Sequence, residues 1–275
     1  MLTLTNITGM SSSPARNIAI EECLRTMVHS AVASSLTSNQ SIPSTPSSFF
    51  LTYVNEPCVV LGRNQEAAAE LSRTARETGT PRAFRRTTGG GAVYHDAGNL
   101  NWSFVVPGSL ADRAGLLRLL LGALATAGVQ AAVGGRGEVT VAGRKVGGTA
   151  SAAGKDVLLF HGTLLVDTEL SALRDSLAAH DEDYEPGSVR SVPAAVANLA
   201  SFVPGLTVES LAVILSARLA GFASAAWNSL IDTQRVETLT DELSSEAWIY
   251  KRSARLGRGA SMPRETKMAE MKGTT

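Results

Sequence analysis

Two periodicities alternate along the chain. From Pro14, the run ARNIAIEECLRTMVHSAVASSL places Ile18, Leu24, Met27, Val28, Ala31 and Val32 near one face of a helix. Glu21 and Glu22 lie near its start, where solvated acids complement the helix dipole. FFLTYV and CVVLG then predict two strands around an Asn55-Glu56-Pro57 turn, followed by a helix over 66–78 that carries Glu70. Residues 83–86 end a short strand. Residues 92–94 and 100–106 suit two pleated strands joined through Asp96, Ala97, Gly98 and Asn99. A strongly apolar helix over 110–127 stops at Gly128. Strands follow at 129–133 and 138–141, and Ala142-Gly143 makes a tight turn into Arg144, Lys145 and Val146. Helices are expected at 170–177, 208–220 and 238–246. Paired strands with helices between them indicate an α+β fold, a mixed or largely antiparallel sheet flanked by helices.

The polar interruptions set the domain plan. Residues 1–14 read as a flexible N-terminus, SNQSIPSTPSS at 38–48 as a flexible insertion, HDEDYE as a solvated loop, and 251–275 as a disordered tail. A single unit over 15–250 remains. Of the 275 residues 44% are hydrophobic and 18% charged, which supports a sizeable core. The net charge is +0 and the pI about 6.9, so no global field points to nucleic acid or a membrane surface. No apolar run spans a bilayer, and the first residues lack the apolar centre of a secretory signal. A hydroxyl-rich start containing Arg16 fits an organelle address, so the expected location is cytoplasmic or mitochondrial. Cys23 and Cys58 have neither metal spacing nor a disulfide framework and read as buried packing residues.

The densest chemistry lies in Arg85–Phe104, RRTTGGGAVYHDAGNLNWSF. Gly89, Gly90 and Gly91 remove three adjacent Cβ atoms, so backbone N–H groups can approach an anion closely. Arg85 and Arg86 add fixed charge, one of them as a bidentate clamp on carboxylate or phosphate. No Gly-Lys-Ser/Thr follows, which excludes a P-loop, and the glycines precede a strand rather than open a helix, which excludes a dinucleotide fingerprint. The run closely resembles the RRxSGGGAVYHDxGNxNxSF signature of the lipoate-protein ligase family, related in fold to biotin-protein ligases.

The resemblance extends over residues 15–200. Asn17, Glu21 and Glu22 occupy the NLAxEE element of the family, and Gly62-Arg63-Asn64-Gln65 its GRxQ, a segment of the pocket wall. VAGRKVGGTASAAGKDVLLFHGTLLVD resembles the block that carries the family's catalytic lysine, which would be Lys145; SVRSVPAAVANL resembles KSVxSRVxNL. The family relation implies a biotin/lipoate ligase-like catalytic domain over 15–250, with too little chain after Trp248 for the further C-terminal domain common in bacterial ligases. It implies that Arg85, Thr87, Gly89, Gly90, Gly91 and Ala92 bind acyl substrate and ATP. His95, Asn99, Gly148, His161 and Thr163 complete that pocket, and Glu138 contacts nucleotide and metal.

The implied chemistry is ATP- and Mg2+-dependent activation of lipoate to lipoyl-AMP. Transfer follows to a lysine of an acceptor domain, of the 2-oxoacid dehydrogenase E2 or glycine cleavage H-protein type. Lys145 would neutralise charge on the reacting carboxylate and α-phosphate. Where family ligases usually carry Asn-Asp before the lysine strand, this chain has Gly137-Glu138, which bears on ATP use in particular. A rival reading is a lipoyl or octanoyl amidotransferase that takes a preformed activated acyl group; neither cysteine sits where a thiol mechanism needs it. A non-catalytic lipoate-binding paralogue is the third.

Overall fold

The computed structural model describes residues 2–37, 48–110, 112–177 and 188–251. The insertion expected at 38–48 lies outside them except for Ser48, as do the acidic loop and all of the tail but Lys251. The elements are β1 (Thr5–Thr8), α1 (Pro14–Thr37), β2 (Phe49–Tyr53), β3 (Cys58–Leu61), α2 (Ala67–Glu70), α3 (Arg73–Thr78), β4 (Arg82–Arg85), β5 (Val93–His95) and β6 (Asn99–Pro107). They continue with α4 (Arg113–Thr126), β7 (Ala132–Val133), β8 (Val139–Val141), β9 (Arg144–Gly147), β10 (Thr149–Ala153), β11 (Val157–Leu165), α5 (Leu170–Ser176), α6 (Val208–Ala220), β12 (Ser224–Ala226), α7 (Thr233–Ser244) and α8 (Glu246–Ile249).

A six-stranded sheet, ordered β10-β11-β6-β2-β1-β12, forms the frame; β1 runs parallel to β2 and β12, and the remaining pairs are antiparallel. This is the expected mixed α+β architecture. Its central strand β6 is buried at all nine positions because both faces are covered. Trp102 and Phe104 face a core formed with Leu120 and Leu124 of α4 and Leu211 and Leu215 of α6, and Trp102 meets the Phe160 ring edge-on at 5.2 Å. Val105 points the other way, to Ile20 and Leu24 of α1 and Val236 of α7. Each such side chain contributes roughly 1.5–3 kcal/mol of burial, so the sheet is a rigid support for whatever its strand ends carry.

Four expectations about elements change. The N-terminal residues are not a loose leader: Leu4 and Ile7 enter opposite cores, and Thr5 N–H donates to the Ser48 carbonyl at 3.0 Å. The helix over 66–78 is broken at Leu71, which is extended, and restarts where the Ser72 hydroxyl accepts from Ala75 N–H. Most important for the site, β5 and β6 are not arms of one hairpin. β5 pairs with β3 in a sheet ordered β4-β3-β5, whereas β6 pairs with β2 and β11. The turn between them is held from outside: the Asp96 carboxylate accepts from Gly98 and Glu169 N–H, and the Gly98 carbonyl from Val166 and Asp167 N–H. A third sheet, β7-β8-β9, turns at Ala142-Gly143, both at positive φ as a two-residue hairpin requires. The last helices are α7, capped by Asp232, and α8, rather than one helix over 238–246. Cys23 and Cys58 are buried free thiols, as expected. No helix among the described residues is long and apolar enough to cross a membrane.

Candidate active site

A cleft of about 320 Å³ opens where the three sheets meet. Its walls include Gly90, Gly91 and Ala92 from the glycine run, Arg86, His95, His161 and Thr163, and, from the small sheet and the strand after it, Glu138, Lys145 and Gly148. Ile18, Val60 and Val93 make part of the wall apolar. Eight of the residues expected at the site from sequence therefore share one cavity with Lys145.

The two arginines occupy different places, and only Arg86 lines the cleft. Arg85 is fully buried behind the cleft, not on it: Nε donates to the Ile249 carbonyl at 2.7 Å, and Nη1 to the Gly62 and Gln65 carbonyls at 2.8 and 2.7 Å. These contacts clamp the end of β3 to α8, reinforced by Trp248 Nε1–H donating to the Arg85 carbonyl at 2.8 Å. β4 alternation turns neighbouring side chains to opposite sides, so Arg86 is the one that reaches the cleft. It donates to the carbonyls of Val60, Gly89 and Gly91 and to Thr88 Oγ1, and folds the glycine run around its own guanidinium. Burial pulls its pKa down to about 10, with Glu21 opposing, so it remains a cation. Thr87, Gly89 and Asn99 are likewise not among the residues that line the cleft. Thr87 donates to Glu22 Oε1 at 2.6 Å, the Gly89 carbonyl is held by Arg86, and Asn99 is buried against Asn101.

Glycine serves close approach at two places. A methyl on Gly62 would run into the Gly90 carbonyl oxygen, so β3 and the cradle touch backbone to backbone. A methyl on Gly147 would strike the Thr163 carbonyl, so that glycine packs β9 against β11. Gly148 does face the cleft, with its N–H donating to Thr163 Oγ1 at 3.1 Å.

Lys145 is partly buried, and its backbone N–H and carbonyl pair with Ala195 and Ala197, which fastens the 195–197 segment along β9. Burial lowers its pKa, while Glu138 pulls it back up. Glu138 sits in the loop before β8, where one oxygen accepts from Arg136 N–H at 2.8 Å. The segment 188–192 closes the other side. Ser191 Oγ accepts from Ala92 N–H at 2.8 Å and from Gln65 Nε2 at 3.0 Å, so the buried Gln65 stands behind the wall residue Ser191.

The carboxylates of α1 are not solvated. Glu21 is fully buried and its carboxylate accepts from Tyr53 Oη at 2.9 Å, from Ser103 Oγ, and from His161 Nδ1 at 2.9 Å. Burial works to raise its pKa, but His161 and the two hydroxyls bring it below the usual carboxylate value. Glu22 accepts from Thr87 and Arg25. The available signal was their place on the apolar face: Glu21 follows Ile18 by three positions and precedes Leu24 by three. His95 is buried too, its Nδ1 2.9 Å from the Asn55 amide, which is itself oriented by Asn17 at 2.8 Å. Burial, then the Arg86 cation, push the His95 imidazole down to about 3, which keeps it neutral.

Compared with known proteins, residues 13–220 match the family model described as the lipoyl protein ligase A/B catalytic domain. The chain is 30% identical over 213 residues to lipoate–protein ligase 1 of Staphylococcus aureus, covering 75% of this chain and 65% of that protein. It spans between 48% and 65% of the length of three such curated relatives. Two solved structures share its fold. One is P. falciparum LipL1 in complex with lipoate, with a TM-score of 0.75 at 22% identity over 94% of this chain and 75% of that one. The other is a lipoate-protein ligase A bound with ATP, with a TM-score of 0.67 at 21% identity over 90% and 99%.

Proposed function

The chain belongs to the lipoyl protein ligase A/B catalytic-domain family, and from that premise we propose that it is an ATP-dependent lipoate-protein ligase. The observation that carries this reading is the juxtaposition of Lys145 with the Gly90–Ala92 cradle in one cleft whose remaining wall is partly apolar. Such a cleft suits a medium-length acyl chain with its carboxylate at the cationic end. A relative named as a lipoate–protein ligase, and folds holding lipoate in one case and ATP in another, support it.

In the first step a carboxylate oxygen of lipoate bonds to the α-phosphorus of ATP and the bond to the β-phosphate bridging oxygen breaks, releasing pyrophosphate. In the second, the amine of an acceptor-domain lysine attacks the acyl carbonyl, AMP leaves with the electron pair of the mixed anhydride, and an amide remains. Neither step uses a protein nucleophile, so positioning and charge supply the rate. Lys145 offsets negative charge at the carboxylate and α-phosphate, and Arg86 adds a fixed positive field from within the glycine run. The acceptors are lipoyl domains of the E2 or H-protein type, in the cytoplasm or the mitochondrion.

A magnesium ion fits this site as a companion of the nucleotide. Among the described residues no three His, Cys, Asp or Glu side chains converge on one point, and Glu138 is the acidic residue in the cleft wall. One carboxylate plus phosphate oxygens is an ordinary donor set for Mg2+. When bound, the ion supplies charge neutralisation on the phosphates; Glu138 would hold it and Lys145 would face the reacting centre.

The amidotransferase reading keeps the same cleft but needs no nucleotide. A cysteine version is disfavoured, since burial raises the pKa of both Cys23 and Cys58 and neither lines the cleft. Lipoate-dependent ATP–pyrophosphate exchange with the purified protein separates the readings. Exchange is expected, and Lys145→Ala is expected to abolish it while the circular dichroism spectrum is kept. Transfer from preformed lipoyl-AMP without any exchange would replace the ligase by the amidotransferase, and absence of both reactions would leave a binding protein.

A further inference from the structure

A continuous hydrogen-bonded line joins the first helix to the glycine cradle. Arg86 Nε–H donates to Thr88 Oγ1 at 3.1 Å, Thr88 Oγ1 lies 2.7 Å from His161 Nε2, and His161 Nδ1 lies 2.9 Å from Glu21 Oε2. Thr88 and Glu21 are 1% and 0% exposed, and His161 8%, so the line is sealed from water along most of its length. The partners fix the protons. An ionised carboxylate has no proton to give, so Nδ1 of His161 must carry one. Thr88 Oγ1 already takes a proton from Arg86, and a hydroxyl has a single hydrogen of its own to place; His161 Nε2 is where it can go. Every bond then runs from the arginine towards the glutamate.

We propose that Glu21 is a positioning residue for the acyl-binding cradle: it fixes His161 as the Nδ1–H tautomer, whose Nε2 holds Thr88 and thereby the Arg86–Gly91 turn. The inference rests on the ligase reading for what the cradle binds, but not for the state of the line itself. Thr88 is the residue immediately before the three glycines, and the guanidinium bonded to its hydroxyl also holds the Gly89 and Gly91 carbonyls. Helix α1, strand β11 and the cradle are thus coupled through side chains alone. Buried networks of this kind fix one arrangement because any half-satisfied alternative leaves a polar group unpaired.

Replacing Glu21 by Gln keeps size and shape but offers one acceptor oxygen and an NH2 in place of two acceptors. The Nδ1 proton loses its anionic partner, and the common Nε2–H tautomer, which cannot accept from Thr88, becomes competitive. The experiment uses the full chain with 15N-labelled histidine and reads the His161 ring nitrogens by long-range 1H–15N correlation, beside lipoate affinity by calorimetry. In the unsubstituted protein His161 is expected as neutral Nδ1–H with Nε2 unprotonated. Glu21→Gln is expected to lose that signature and weaken lipoate roughly tenfold, about the worth of one buried hydrogen bond. Glu21→Asp should recover part of both.

Thr88→Val, nearly isosteric and away from the carboxylate, keeps the test decisive if Glu21→Gln does not fold. It should weaken lipoate by a similar factor, and in a folded double variant the two losses should not multiply, because they break one line. An Nε2–H tautomer or a doubly protonated ring in the unsubstituted protein overturns the proposal, as does full lipoate affinity in Thr88→Val. If the unsubstituted protein neither binds lipoate nor exchanges pyrophosphate, the ligase reading falls, while the ring-nitrogen spectrum still decides the tautomer.

Discussion

Arg85→Met gives the sharpest test of how the two adjacent arginines divide their work. In the structure the Arg85 guanidinium meets three carbonyls at 2.8 Å or less, those of Ile249, Gly62 and Gln65, and is fully buried. Charge-assisted hydrogen bonds of this type contribute about 1.5–3 kcal/mol each, but they are not additive around one group. Methionine fills the volume but takes the guanidinium away from the Ile249 and Gln65 carbonyls, while the Gly62 carbonyl keeps Gln65 N–H at 3.1 Å, so the expected loss is about 3–5 kcal/mol, comparable with breaking a buried ion pair. With a urea slope of at most about 3 kcal/mol per molar, the denaturation midpoint should fall by about 1 M or more. Lipoate affinity, read by calorimetry well below that midpoint, should change far less, since the cation facing the cleft is Arg86. Arg85→Lys should recover only part of the stability, because an ammonium cannot fork between β3 and α8. An unchanged midpoint combined with a tenfold or greater loss of lipoate affinity would refute the reasoning and return Arg85 to the anion site.

Two further outcomes follow from the same geometry. His95 has a folded pKa of about 3 against an ordinary value of 6.5; because the folded state resists protonation, its contribution is complete above pH 6.5 and is lost as pH falls from there towards 3. That amounts to about 2 kcal/mol between pH 7 and 5 at 1.36 kcal/mol per unit, and urea titrations of His95→Gln should show a correspondingly flatter profile over this range. Gly62→Ala places a methyl against the Gly90 carbonyl, so it should cost about 1–3 kcal/mol and weaken lipoate as the cradle shifts; calorimetry with normal affinity would show that the cradle has room to give.

The local grammar of the chain was legible because it rests on short-range physics. Helical spacing predicted α1, α4 and α6; apolar runs bounded by turn residues predicted β2 and β3; Ala142-Gly143 predicted the β8–β9 turn. The long motif around Gly89–Gly91 and the Lys145 block identified the family without any coordinates, since motif residues and their order are properties of sequence. What sequence could not supply was which way side chains face once strands join sheets. Arg85 and Arg86 are chemically identical, and only the pleat of β4, fixed by pairing with β3, sends one behind the cleft and the other into it. Glu21 carried the look of a helix-start acid until β2, β6 and β11 brought Tyr53, Ser103 and His161 around it from residues up to 140 positions away. Likewise Asp96–Asn99 makes the predicted turn, yet whether a turn joins two strands of one sheet or passes the chain between sheets depends on the partners those strands find. Residue types and their order thus determined the fold class and the chemistry on offer, whereas non-local pairing decided which of those groups the ligand would meet.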